Sequence, residues 1–285
     1  MVGIAGGYGW SVNPADVRNL SDGDLDTREE HLYQLLDRAR DRADESAIEA
    51  LRTLVRDYPS YHRSLYSRAL NQAGLFGDAS LEAPLLAALA DSRYNCQAWA
   101  AMGCRALGLR SAVPGLVALL DSPQWIAREQ ALLGLGALAD ESVVAVLAPL
   151  LGHREAFMRE KTADALSRIG GDAALAALWS ELVHRRFVRI GYVASGLALF
   201  APAIIPRLIE AAGDADPDVR YWAAVALGST GDESAVSTLE RLHAGDRGST
   251  VFDGRVDVAA RKALRTLRRI QAAIAARSEA GSLAS

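Results

Sequence analysis

Gly213-Asp-Ala-Asp-Pro-Asp-Val-Arg-Tyr-Trp-Ala-Ala-Val-Ala-Leu-Gly-Ser-Thr-Gly-Asp232 decides the fold. A Gly/Asp/Pro turn leads into a run whose apolar residues recur at helical spacing, and Gly231-Asp232 ends that run and launches the next. The closing tag Asp232-Glu233-Ser234-Ala235-Val236 recurs as Asp44-Glu45-Ser46-Ala47-Ile48 and Asp140-Glu141-Ser142-Val143-Val144. An Asp ahead of an apolar run is an N-cap signal, because its carboxylate accepts from free amides at the positive end of a helix.

Aligning the chain on Arg220 yields a repeat. Tyr66, Gln97, Arg128, Arg159, Arg189 and Arg220 are spaced by 31, 31, 31, 30 and 31 residues. One residue before these anchors stand Leu65, Cys96, Ala127, Met158, Val188 and Val219, all apolar. Three residues after stand Ala69, Ala100, Ala131, Thr162, Tyr192 and Ala223, and seven after stand Ala73, Cys104, Leu135, Leu166, Gly196 and Leu227. Offsets of −1, +3 and +7 trace one stripe along a helix. A second helix precedes each anchor, as in Ala112–Leu120 and Ile204–Ala212, with Pro114 and Pro206 in the first turn, where a missing amide costs little.

Two helices per 31 residues mean stacking, since no unit of that size buries its own apolar faces. Two weaker units flank the array. One centres near Leu32; the other centres on Asp257 after a spacing of 37, so six extra residues lie within 244–254. The predicted organisation is an N-terminal arm over 1–24, one elongated repeat domain over 25–275 and a C-terminal tail over 276–285.

The run Asp214…Val219-Arg220…Ala223-Ala224-Val225-Ala226-Leu227-Gly228 resembles the HEAT repeat, in the short bacterial form also found in phycobilisome lyases. The resemblance implies an all-α, right-handed α-solenoid of about seven to eight helix pairs. It also implies a ladder between repeats built from an Asp about six residues ahead of an Arg, for which Asp214 and Arg220 stand at the right spacing. The opening Met1-Val-Gly-Ile-Ala-Gly6 resembles the start of class II glutamine amidotransferases, but Val2 stands where that family has its nucleophilic cysteine, and nothing downstream continues the match.

Composition narrows function by exclusion. Hydrophobic residues make up 50% of the chain and aromatics 6%, which favours small-residue helix packing over a β-sandwich. Net charge is −4, so nothing global points to nucleic acid. The charge is polarised, with twelve acids against seven Lys/Arg in residues 1–60, and six Lys/Arg without an acid in 258–278. Cys96 and Cys104 stand about two helical turns apart, roughly 12 Å, too far to pair. Two free thiols suit a reducing cytoplasm, the expected location. Ile190–Ile205, the longest uncharged run, is short for a membrane span and is broken by Pro202.

The five histidines fall in different repeats without metal-ligand spacing, and no phosphate-binding or nucleophile-elbow motif occurs. No metal and no cofactor are therefore expected. Binding residues are a different matter. Arg128, Arg159, Arg189 and Arg220 would form a ridge along the stacked helices, either salt-bridging between repeats or meeting an acidic peptide or phosphate backbone. Tyr94 and Trp125 share offset −3, and Trp99 and Trp222 share offset +2, with Tyr221 beside the latter. All four offset positions lie off the core stripe. If one helix of each pair lines a concave face, as the HEAT resemblance implies, several of these rings face the groove as anchors for a partner helix or extended peptide.

The expected function is a non-catalytic protein- or peptide-binding scaffold. Two alternatives come from other classes. One is an enzyme or enzyme subunit, bilin-lyase-like or DNA-glycosylase-like, for which Glu129 beside Trp125 is the one acid to test. The other is nucleic-acid binding without chemistry, a minority reading at this net charge.

Overall fold

The computed structural model describes residues 13–41, 44–57, 62–184, 187 and 190–283, with backbone alone at Pro14, Arg63, Tyr94 and 279–283. Seventeen α-helices and no strand occur among the described residues. The chain divides into two compact units, 1–139 and 140–285.

In the first unit, the anchor-bearing helices Arg63–Asn71, Cys96–Ala106 and Trp125–Leu138 pack successively on one another. Glu82–Leu89 and Val113–Ala118 back them as a second layer. The stripe read from the sequence is the core. Leu65, Ala69, Ala73, Cys96, Ala100, Cys104, Ala127, Ala131 and Leu135 are all fully buried. Burial pushes the Cys104 thiol up to about 12, and both cysteines are free.

The first unit opens with the helix Pro14–Ser21, within the segment expected to be an arm. Asn13 caps it by accepting from the Ala15 amide at 3.0 Å. Its buried Asp16 accepts from Nη1 and Nη2 of Arg38 at 3.1 and 3.3 Å, while Arg38 Nε donates to Asp44 at 2.9 Å. These three residues tie the short helix to Leu25–Asp41 and Glu45–Arg56. Asp44 also caps Glu45–Arg56 by accepting from the Ala47 amide at 3.1 Å, as the tag predicts.

The second unit repeats the plan. Ala156–Ile169, Gly191–Ala198, Pro217–Thr230 and Val256–Leu283 pack in succession, backed by Gly171–His184, Ile205–Ala211 and Val236–Gly245. Asp140 and Asp232 accept from the Ser142 and Ser234 amides at 3.0 and 2.9 Å, each starting a short 3-10 turn that runs on into its helix. Where the helices approach closest, the chain uses glycine. A Cβ at Gly228 would lie 2.6 Å from both Cα and Cβ of Ala263, so only a bare Cα allows Pro217–Thr230 to meet the last helix.

The last helix runs from Val256 to Leu283, on into the segment read as a C-terminal tail. Its apolar stripe is buried at Ala260, Leu264 and Leu267, whereas Ile274 is 57% exposed. The inserted residues form a tight loop closed by an antiparallel bridge between Ser249 and Arg255.

Candidate functional site

The anchor arginines adopt one geometry in both units. Arg128 Nη1 donates to the carbonyls of Ser122 and Pro123 at 2.9 and 3.4 Å. Arg159 Nη1 donates to those of His153 and Arg154 at 2.8 and 3.0 Å. Arg220 Nη1 donates to those of Asp214 and Ala215 at 2.8 and 2.9 Å. Each guanidinium reaches back six and five residues to the turn that leads into its own helix. Those carbonyls lie before the helix begins and have no place in its hydrogen-bond ladder, so a charged donor satisfies what the backbone cannot. Arg189 lies outside the described residues.

The Asp–Arg ladder implied by the HEAT resemblance takes another form. Asp214 contributes its backbone carbonyl to Arg220, while its carboxylate accepts from the Asp216 amide at 2.8 Å. The ion partner of Arg220 is Asp246 in the inserted loop, with Nε–Oδ2 at 2.7 Å and Nη2–Oδ1 at 3.1 Å. Spacing alone could not reveal this, because Asp246 belongs to the segment that breaks the repeat. The Arg220 hydrogen bonds, followed by the Gly248 amide, hold the Asp246 carboxyl below its ordinary range.

The aromatic candidates divide by environment. Trp125 is 59% exposed at the start of its helix. Trp99, on the helix packed against it, is half-buried and walls a surface depression of about 260 Å³ shared with Ser64, Ser67, Arg68, Asn71 and Asn95. Glu129 lies one turn beyond Trp125 and is half-buried. The Tyr94 side chain lies outside the described residues. Trp222 is only 8% exposed, so it belongs to the core of the second unit. Its indole fits over Gly191, where an added Cβ would stand 3.5 Å from the ring, and it meets Tyr221 edge-on with centroids 5.0 Å apart. A ring at offset +2 is thus half-buried in one repeat and interior in another, according to whether the neighbouring helix leaves room.

Burial also raises the Tyr221 phenol, with the Asp253 charge adding to it, which places Tyr221 near the inserted loop. A second depression, of about 330 Å³, lies between Ala156–Ile169 and Gly191–Ala198, with Glu160, Asp164, Tyr192 and the exposed Leu199 on its wall. Sequence reasoning did not single out Leu199, since it falls in a continuous apolar run without periodicity to mark it as outward. Glu181, another unforeseen feature, is a carboxylate only 2% exposed within Gly171–His184. Arg159 also stacks its guanidinium 3.9 Å from the Phe187 ring centroid, a cation–π contact added to its carbonyl hydrogen bonds.

No group of acids, histidines and cysteines among the described residues could hold a metal ion. No helix among them is long and apolar enough to cross a membrane.

The family model for HEAT repeats matches residues 113–190 and 188–252. The chain belongs to the HEAT-repeat proteins. The matched stretch contains the three arginine-clamped turns, and the helix-pair stacking on either side of it carries the same buried stripe. No curated protein matches this HEAT-repeat chain. Among solved structures, an engineered protein is 20% identical over 89% of this chain and 77% of its own, with a TM-score of 0.50. The complex of CpcE and CpcF of phycocyanin lyase from Nostoc sp. PCC7120 is 18% identical over 93% and 91%, at a TM-score of 0.46. Human deoxyhypusine hydroxylase in complex with glycerol is 22% identical over 90% and 95%, at 0.36. At its identity and TM-score, the engineered protein's likeness concerns the fold alone.

Proposed function

We propose that this HEAT-repeat protein is a non-catalytic scaffold that holds a protein or peptide segment on the exposed face of its anchor helices. The observation that carries this reading is Trp125, an indole 59% exposed on a helix whose opposite face is buried throughout. Folding gains little from a tryptophan so placed, whereas burial by a partner would remove a large apolar ring from water. Trp99, on the helix packed against that of Trp125, adds a half-buried ring at a depression where Arg68, Asn71 and Asn95 are hydrogen-bonding groups that could fix the register of a bound chain.

The reading is tested by affinity capture from the native cell with wild type, Trp125→Ala and the double variant Trp99→Ala/Trp125→Ala. A captured partner should be lost from the double variant while its thermal unfolding stays cooperative. Retention of the same partner by a folded double variant would overturn the proposal.

A further inference from the structure

The inserted loop presents a surface that neither the repeat nor the groove explains. Asp246 is clamped by Arg220 and accepts from the Gly248 amide at 2.8 Å. The Val256 amide donates to the Gly248 carbonyl at 3.0 Å, and the Thr250 amide to the Gly254 carbonyl at 2.9 Å. Thr250 turns inward, 7% exposed, and its Oγ1 accepts from the amides of Asp253 and Gly254, both at 2.7 Å. At the tip of this hydrogen-bonded turn stand Val251 and Phe252, 79% and 65% exposed. Two adjacent large apolar side chains are thus presented to solvent on a backbone fixed in advance, which lowers the ordering cost of any docking.

We infer that this loop seats the protein on an anionic lipid bilayer, with Val251 and Phe252 entering the interface and the basic side chains of the helix that follows meeting the headgroups. The charge distribution selects this occupant. Arg247 and Arg255 flank the tip at 64% and 49% exposure. The helix that follows exposes Arg261, Lys262, Arg265, Arg268 and Arg269, and 258–278 contains no acid. Within the loop the charges largely offset one another, Asp246 pairing with Arg220 and Asp257 with Arg247 and Arg255 while half-buried Asp253 adjoins Phe252, so the excess positive charge lies on the helix. The chain as a whole is negative at −4, so this basicity is local. A short apolar insertion reinforced by Arg and Lys is the pairing that holds a protein on an anionic leaflet without spanning it.

The test is co-sedimentation of the full chain with vesicles of phosphatidylcholine alone and of phosphatidylcholine mixed with phosphatidylglycerol. Wild type should sediment with the mixed vesicles only, and less as salt is raised. Val251→Ser/Phe252→Ser should weaken that binding by at least about tenfold. Arg261→Gln/Lys262→Gln/Arg265→Gln should weaken it as well, while Trp125→Ala should bind vesicles as wild type does. Equal sedimentation of wild type with both vesicle types, or unchanged binding by the serine variant, would overturn the inference. So would absence of vesicle binding together with loss of a captured protein partner in the serine variant, which would make the loop a protein-docking element.

Discussion

Arg220 grips Asp246 through two hydrogen bonds while its remaining terminal nitrogen closes the turn at Asp214 and Ala215. One side chain therefore fixes the start of its own helix and fastens the inserted loop to it. Both partners are largely shielded, at 17% and 11% side-chain exposure. Arg220→Met keeps the aliphatic stem and removes all four donor contacts, leaving Asp246 without its main partner. Its cost should be about 2–4 kcal/mol of unfolding free energy, read as a fall in the urea midpoint. Arg128→Met and Arg159→Met, which remove the carbonyl clamps at Ser122/Pro123 and His153/Arg154, should cost about 1–2 kcal/mol each.

Acid should act through the same pair. Asp246 is held below the ordinary carboxylate value of about 3.9 first by the Arg220 hydrogen bonds, and Asp91 is held down likewise by Arg93. Asp44 is lowered chiefly by the Ala47 amide and then by Arg38. The folded state thus binds these protons less readily than the unfolded chain does. Their stabilisation is complete above the unfolded value near 3.9 and is lost as pH falls through the lower folded values. Thermal midpoints should drop steeply below about pH 4, and more shallowly in Arg220→Met, whose Asp246 has already lost its main reason for a low value. Equal slopes in the two proteins would contradict the assignment.

Close helix approach can be separated from glycine content as such. Gly228→Ala would drive a Cβ into the backbone of Ala263, where a neighbouring main chain cannot yield without shifting its helix. A loss of about 1–3 kcal/mol is expected. Gly245, at the end of Val236–Gly245, has nothing within 4 Å of an added Cβ, so Gly245→Ala should be neutral or slightly stabilising. Paired denaturation curves of the two variants make the comparison.

The stacking was legible in the sequence because it depends on periodicity. Residues at −1, +3 and +7 from each anchor had to be apolar or small to pack, and Leu65, Ala100, Leu135, Leu166 and Leu227 are buried as that requires. Contacts made across a break in period were not legible. Asp246 lies in the segment that departs from the 31-residue spacing, so no register could pair it with Arg220. Trp222 shares its offset with Trp99 yet is interior, because the room it fills is left by Gly191 of the preceding anchor helix, and a single-helix pattern carries no record of its neighbour's volume. The arginine clamp was hidden for a related reason. Its acceptors are backbone carbonyls, which every residue possesses, so the sequence marks the donor and leaves the acceptor unmarked.

Trp125 and Trp222 should therefore respond oppositely to the same truncation. Trp222→Ala removes a ring 8% exposed, packed over Gly191 and against Tyr221, and leaves a cavity among helices that cannot fully collapse. A loss of about 3–5 kcal/mol follows from the size of the deleted ring. Trp125→Ala removes a ring that solvent already reaches over more than half its surface, and should change stability by less than about 1 kcal/mol. If Trp125 serves recognition, its truncation weakens partner capture at unchanged stability, whereas Trp222→Ala weakens capture only in proportion to unfolding. Measuring both the unfolding free energy and the retained partner for the two variants separates these roles. A large stability loss in Trp125→Ala would move that residue into the core and remove the observation on which the scaffold reading stands.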